Sequence, residues 1–356
     1  MTFQKIVLCL DMAGCPNRCL HCWLGHDGNA NLPLSEFAAA AESFRPFTRC
    51  LEVVDWYREP DYRDDYRERS ALCGQLSDEV TPHYELASVW RLARDPSYAP
   101  WLYGQGVRAV QLTLFGGEAL TDRYTGRKGA YRDILAAVEI LIQHKIAPRF
   151  QFFVNQETVK GLPEVEGLIG QLKLDKRCET LEKPFEFFLH GGSCDGANEA
   201  LYPLLAVKGT LSQIPESLVE RTLRYFGKKT LDEVFGEPEA ALFARLKSSE
   251  DVEGLANDKP VFFLDHRFDL YPNFTAPAPF WRLGNLKEEG AEPLLRRFLE
   301  NASPAQHARL TVPLGEMVQK AGAPDGQGLF IESDYIDYIL NRYCREMAGL
   351  PAGRAL

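Results

Sequence analysis

Short apolar runs alternate with longer amphipathic stretches through the first 210 residues. The opening run, Ile6-Val7-Leu8-Cys9-Leu10, reads as a strand that runs directly into a turn-rich loop from Asp11 to Asn17. Residues 34–42 (LSEFAAAAE) predict a helix with Ser35 as N-cap, and residues 51–55 predict a strand. Strong strands follow at 109–115, 150–154 and 185–189, separated by amphipathic helices over 131–144 and 162–172. Residues 84–94 read as helix and 98–106 as loop. Strand and helix repeated at these lengths argue for a parallel α/β fold, whose ligand site lies at the carboxyl ends of the strands. The sequence places polar or glycine-rich segments there: Gly116-Gly117-Glu118, Asn155 and His190-Gly191-Gly192.

After about residue 210 the rhythm changes. Helices with charged faces are expected over 213–250, strands at 261–264 and 268–271, and helices over 291–300 and 334–347. Residues 55–69 (DWYREPDYRDDYRER) show no apolar periodicity and predict an exposed insertion or lid. The expected organisation is a barrel-like unit over 1–210 with an insertion at about 47–100, a helical connector over 211–255, and a smaller α+β extension over 256–356.

Length and composition narrow the classes. The 356 residues are 45% hydrophobic, enough to bury a core, and no apolar run is long enough to span a membrane. Forty basic residues against 50 acidic ones give a net charge of -10, which argues against a nucleic-acid or anionic-membrane partner. The start of the chain has no basic-then-apolar leader pattern. Nine cysteines without one predict a reducing, cytoplasmic setting in which thiols serve metal binding or chemistry.

Three of those thiols stand together in Cys15-Pro16-Asn17-Arg18-Cys19-Leu20-His21-Cys22. Thiolates at this density bind an iron–sulfur cluster or a zinc ion. On a four-iron cube, three ligands leave one iron open for a cofactor or substrate. The zinc reading would use His21 or His26 as fourth ligand. The second feature is Phe115-Gly116-Gly117-Glu118, where paired glycines let backbone approach a ligand and Glu118 offers an acceptor for an ammonium group.

The loop CPNRCLHC resembles the CxxxCxxC signature of the radical S-adenosylmethionine (SAM) enzymes, and FGGEAL resembles that family's GGE motif. The resemblance covers roughly 5–210 and implies a partial (β/α)6 TIM-like barrel. It further implies a [4Fe-4S] cluster on Cys15, Cys19 and Cys22, with SAM chelated at the open iron. Gly116, Gly117 and Glu118 would bind the methionine ammonium, Asn155 the SAM carboxylate or ribose, and His190 ribose or substrate. Two departures stand out. His21 occupies the place where the family often has an aromatic residue near adenine, with Trp23 beyond it, and 93 residues separate Cys22 from Gly116.

Residues 270–286, containing LYPN and WRLGNL, look like the SPASM/twitch extension of that family. Such extensions often carry cysteines for auxiliary clusters. Here Asn273 stands where a Cys is common, and Cys344 is the sole cysteine after Cys194, so the extension is expected to lack a cluster. Cys194, in HGGSCDG, is a candidate hydrogen-atom donor or metal ligand.

The resemblance therefore implies an enzyme that cleaves SAM to a 5′-deoxyadenosyl radical and abstracts hydrogen from a small-molecule substrate, such as a sugar-like or natural-product compound. Asp55, Trp56, Asp61 and Asp65 are candidate substrate contacts. An electron donor such as flavodoxin or ferredoxin is expected, and without an auxiliary cluster redox-neutral rearrangement, epimerisation or lysis is favoured over dehydrogenation. A peptide-modifying radical SAM enzyme and a zinc-binding structural or interaction protein are the alternatives.

Overall fold

The computed structural model describes residues 2–10, 14–25, 30, 32–54, 62–81, 86–253, 259–272 and 277–350. Its core is two parallel sheets covered by helices. The first joins β1 (Ile6–Leu10) to β2 (Leu51–Val54) on one side and to β6 (Val261–Leu264) on the other, all parallel. Two antiparallel strands, β7 (Asp269–Tyr271) and β8 (Gly284–Asn285), extend it beyond β6. The second sheet is parallel, in the order β3 (Ala109–Leu114), β4 (Ala147–Phe153) and β5 (Glu186–His190). This is the parallel α/β architecture of a partial barrel. The strand at 261–264 registers Val7 against Val261 and Leu10 against Leu264, so the C-terminal extension shares a sheet with the first strand of the chain.

Helices bury the outer faces. Helix α4 (Glu118–Thr125) follows β3 directly, and α5 (Ala130–Gln143) buries Ile134, Ala137, Val138 and Leu141, the helical spacing read from the sequence. These pack on Val110, Leu112 and Leu114, the residues of β3 that point away from the barrel interior. The free edge of β5 meets α7 (Glu216–Phe226), where the Leu189 N–H donates to Thr222 Oγ1 at 3.1 Å. A side chain on a helix thereby satisfies a strand edge that would otherwise be open.

Four expectations are corrected. Helix α1 (Leu34–Glu42) begins after Pro33, and Ser35 lies inside it rather than capping it; proline pre-sets the dihedral of a helix entry. Of the expected exposed insertion over 55–69, residues 66–69 instead open a helix, α2 (Tyr66–Leu76), with Tyr66, Arg69, Cys73 and Leu76 buried at helical spacing, while 55–61 lie outside the described residues. Its buried face uses Tyr, Arg and Cys, so a hydrophobic count overlooks it. Arg69 is 1% exposed, donates to the Leu32 carbonyl at 2.9 Å and pairs with Asp65 at 3.1 Å. Tyr66 lies edge-on to Tyr98 and Trp101, with ring centroids 5.4 and 5.0 Å away. Those partners sit on α3 (Tyr98–Gly104), a helix where a loop is expected, and Pro100 falls in its first turn, where proline is tolerated. Within the expected helix 84–94, only Val89–Leu92 is helical among the described residues.

The long helix α9 (Glu332–Met347) closes the molecule at its C-terminus. No helix among the described residues is long and apolar enough to cross a membrane. His26, Asp55, Trp56, Asp61, His83 and Asn273 lie outside the described residues.

Candidate functional site

Cys15, Cys19 and Cys22 are half-buried, free of disulfides, and line one cavity of about 190 Å³. The local chain explains why. The Cys22 N–H bonds the Cys19 carbonyl at 3.0 Å and the Gly25 N–H bonds the Cys22 carbonyl at 3.2 Å, so successive tight turns hold the loop compact. The loop is then stitched to the end of α4: Arg18 N–H to the Thr125 carbonyl, and Leu20 N–H to the Tyr124 carbonyl, both 2.8 Å. Arg127 Nε donates to Asn17 Oδ1 at 2.7 Å. Gly126 terminates α4 at φ +63°, and a Cβ there would lie 2.9 Å from the Arg18 carbonyl oxygen. Only glycine allows the loop to come this close.

The twin glycines sit at a backbone crossing. Gly116 has φ +141°, and a Cβ on Gly161 would lie 2.6 Å from the Gly116 Cα. Thr121 Oγ1 locks the bend by donating to the Gly116 carbonyl at 2.9 Å. The Glu118 carboxylate pairs with Arg132 at 2.8 Å on an exposed face. A second carboxylate, Glu164, occupies the corner where a Gly117 Cβ would stand. Neither Gly161 nor Glu164 is signalled by the sequence, because each matters only through its approach to a segment more than 40 residues away.

Asn155 is 7% exposed, and its side chain is engaged in the turn after β4. Its Oδ1 accepts the N–H groups of Glu157 and Thr158 at 2.9 and 2.8 Å, while Nδ2 donates to the Tyr124 hydroxyl at 3.0 Å. His190 lies tilted against Phe153, with ring centroids 5.0 Å apart, and its Nδ1 contacts the Gly191 carbonyl. His21 lies over the same ring at 4.2 Å and over Phe115 at 5.0 Å. Burial, followed by the nearby His190, pushes the His21 pKa down to about 3, and burial lowers His190 as well. The buried His21 Nδ1 has no hydrogen-bond partner among the described residues.

The inward face of β3, β4 and β5 carries the residues that the sequence reading missed. Parallel register sets them in rungs: Gln111, Arg149 and Glu186; then Thr113, Gln151 and Phe188; then Phe153 and His190, beside Phe115. Gln111 Nε2 donates to Gln151 Oε1 at 2.6 Å, and Arg149 Nη2 donates to Gln111 Oε1 at 3.3 Å. Gln111, Thr113 and Phe115 line the same cavity as the three cysteines. The available signal was a polar residue at every second position of otherwise apolar strands, which in a doubly covered sheet marks the interior face.

Residues 10–159 match the family model described as the radical SAM superfamily. Over that stretch the chain carries a radical SAM domain. No curated protein matches it in sequence. Among solved structures, the hexahistidine-tagged form of anSMEcpe with bound AdoMet is similar in fold, at 13% identity and a TM-score of 0.52 over 98% of this chain and 96% of that one. Native anSMEcpe with bound AdoMet gives 12% identity and a TM-score of 0.50 over 97% and 98%. Streptococcus suis SuiB bound to S-adenosylmethionine is a more distant likeness, at 12% identity and 0.40 over 85% and 67%.

The cofactors of this superfamily are a [4Fe-4S] cluster and SAM. The donor set fits the cluster, because three thiols share one cavity and none is spent on a disulfide. No three His, Cys, Asp or Glu side chains among the described residues are grouped to hold a single ion. A cube binds each thiolate at a different iron, so it requires a shared cavity rather than convergence on one point.

Cys194 lies beyond this cavity. It is 2% exposed, in a left-handed conformation at φ +56°, and lines a small space with His21, Tyr124 and Asn155. Burial, then Asp195, pushes its thiol well above the ordinary range and keeps it protonated. Its loop is held by α9, where Asn341 Nδ2 donates to the Asp195 carbonyl at 2.6 Å and Arg345 pairs with Glu199. Asp334 and Asp337 of the same helix are both raised by burial, Asp334 to about 6, and Asp195 and Asp337 add to the rise at Asp334. A carboxyl raised on folding gives stability at low pH that is lost as pH rises through the folded pKa. Measured against Asp334→Asn, the urea midpoint of the unmodified chain should therefore fall as pH increases from about 4 through 6. A difference between the two that stays constant or moves the other way would contradict the assignment.

Proposed function

We propose that the chain cleaves SAM reductively and uses the resulting 5′-deoxyadenosyl radical to abstract hydrogen from a small polar molecule lying on the inward face of β3–β5. The observation that carries this reading is the shared cavity: Cys15, Cys19 and Cys22 line it together with Gln111 and Thr113. Cys15, Cys19 and Cys22 would hold the cluster, which when bound would supply the electron for reductive cleavage of SAM. The chain's own residues do the remaining work. Gly116 and Gly117 let backbone approach the cofactor, and Glu118 and Glu164 offer carboxylates to its ammonium. Phe115, Phe153 and His21 form an apolar and aromatic shelf that excludes water from the radical. Gln111, Thr113, Arg149 and Gln151 present amides, a hydroxyl and one buried cation, groups suited to orienting a polar substrate beneath that shelf. With Cys344 buried and alone in the extension, a redox-neutral rearrangement, epimerisation or lysis is favoured.

The test is anaerobic reconstitution with iron and sulfide, followed by incubation with SAM and a reductant and measurement of 5′-deoxyadenosine. About four iron per chain and 5′-deoxyadenosine release are expected. Polar small molecules and short peptides, added separately, should split in their effect, with faster release only from the former. Acceleration by peptides alone would replace this reading with the peptide-modifying one. A single tightly held zinc without SAM cleavage would replace it with a structural role.

A further inference from the structure

One wall of the cluster cavity is thin, and its charge runs against that of the molecule. Thr125, Arg127 and Ala130 line the cavity from inside, while Arg18, Arg123, Gly126 and Lys128 of the same wall are exposed outside. Cys19 Sγ lies 4.0 Å from the Thr125 carbonyl oxygen, and Arg18 packs directly against Gly126. A single layer of chain thus separates a cluster ligand from solvent.

The chain carries a net charge of -10, yet between Glu118 and Arg132 four basic residues (Arg123, Arg127, Lys128, Arg132) stand against two acidic ones (Glu118, Asp122). Arg18 adds another cation from the cysteine loop. Arg123 is engaged by Glu157 and Arg127 by Asp133. Arg18 and Lys128 have no ion-pair partner among the described residues. Two cations without an ion pair among the described residues therefore flank a thin part of this wall, on a protein whose net charge is negative.

We propose that this wall, centred on Arg18 and Lys128, is the docking surface for a small acidic one-electron carrier protein. The proposal rests on the radical SAM reading, which requires a reductant. One electron leaves the carrier's reduced centre and enters the oxidised cluster; no bond forms or breaks and no proton moves. Electron tunnelling decays steeply with distance, so a carrier must seat where the covering layer is thinnest. Complementary charge would govern how fast and in what orientation it arrives.

The experiment uses the reconstituted full chain with a reduced acidic flavodoxin as probe. Binding is read by calorimetry at low and high salt. Electron transfer is read by stopped-flow loss of the cluster's visible absorbance. In the double variant Arg18→Glu/Lys128→Glu, binding and flavodoxin-driven reduction should each fall about tenfold or more at low salt, and the difference from the unmodified chain should shrink at high salt. Reduction by photoreduced 5-deazariboflavin, a small molecule that needs no docking surface, should be unchanged. Lys228→Glu/Lys229→Glu, the same charge change at a distant exposed site, should bind as the unmodified chain does. Equal loss in both double variants, or no loss in the first, would overturn the proposal. So would slowing by deazaflavin to the same extent, which would locate the defect in the cluster itself. An unmodified chain that acquires no cluster would instead overturn the reading on which the surface depends.

Discussion

Cys19→Ala should abolish the cluster, and with it SAM cleavage. Cys19 stands in the middle of the ligand triplet, on a loop whose flanking residues are bonded to Thr125 and Tyr124. Its removal leaves two thiolates for a cube that this family holds with three, and neither Cys9 nor Cys194, both buried among apolar side chains, lines the cavity. Iron should drop from about four per chain towards zero, the visible absorbance should vanish, and 5′-deoxyadenosine should become undetectable. Cys73→Ala is the matched control, since Cys73 is buried in α2 among apolar side chains. That variant should keep full iron. A Cys19→Ala protein that retains four iron and cleaves SAM would remove the triplet from the site.

The second large effect is expected at Gly161, a residue with no chemistry of its own. An added Cβ would stand 2.6 Å from the Gly116 Cα and 3.3 Å from the Phe115 carbonyl oxygen, both backbone atoms that cannot rotate away. Gly161→Ala should therefore force the bend at Gly116 and Gly117 apart. Overpacking of this kind costs about 1–3 kcal/mol, to be read as a lowered urea midpoint. The sharper readout is SAM binding by calorimetry, which should weaken more than that of Gly167→Ala, where a Cβ meets nothing within 4 Å. Equal SAM affinity in the two variants would show that the crossing does not shape the cofactor site.

These two residues mark the boundary of what can be read without coordinates. The cysteine loop is legible because its ligands lie within eight residues and their chemistry is carried by the side chains themselves. The strands at 6–10, 109–114 and 261–264 and the helix at 130–143 are legible because their apolar spacing is regular. Helix α2 was hidden because its buried face is built from Tyr66, Arg69 and Cys73, whose burial depends on partners elsewhere: Tyr98 and Trp101 for the ring, Leu32 and Asp65 for the guanidinium. The ion pair of Glu118 with Arg132 on the neighbouring helix was not legible, because it depends on how two helices meet. The bonds of Asn155 to the turn that follows it and to Tyr124 were likewise out of reach of the sequence.

By itself, then, the sequence determined the alternation of strand and helix, the grouping of three thiols in one loop and the glycine bend after β3, because local spacing and side-chain chemistry suffice for each. Only the tertiary structure decided that β6 returns to pair with β1, that Gly161 crosses Gly116, and that Gln111, Arg149 and Glu186 share one rung. Those facts depend on register and approach between segments far apart in the chain, and no local pattern encodes such distances.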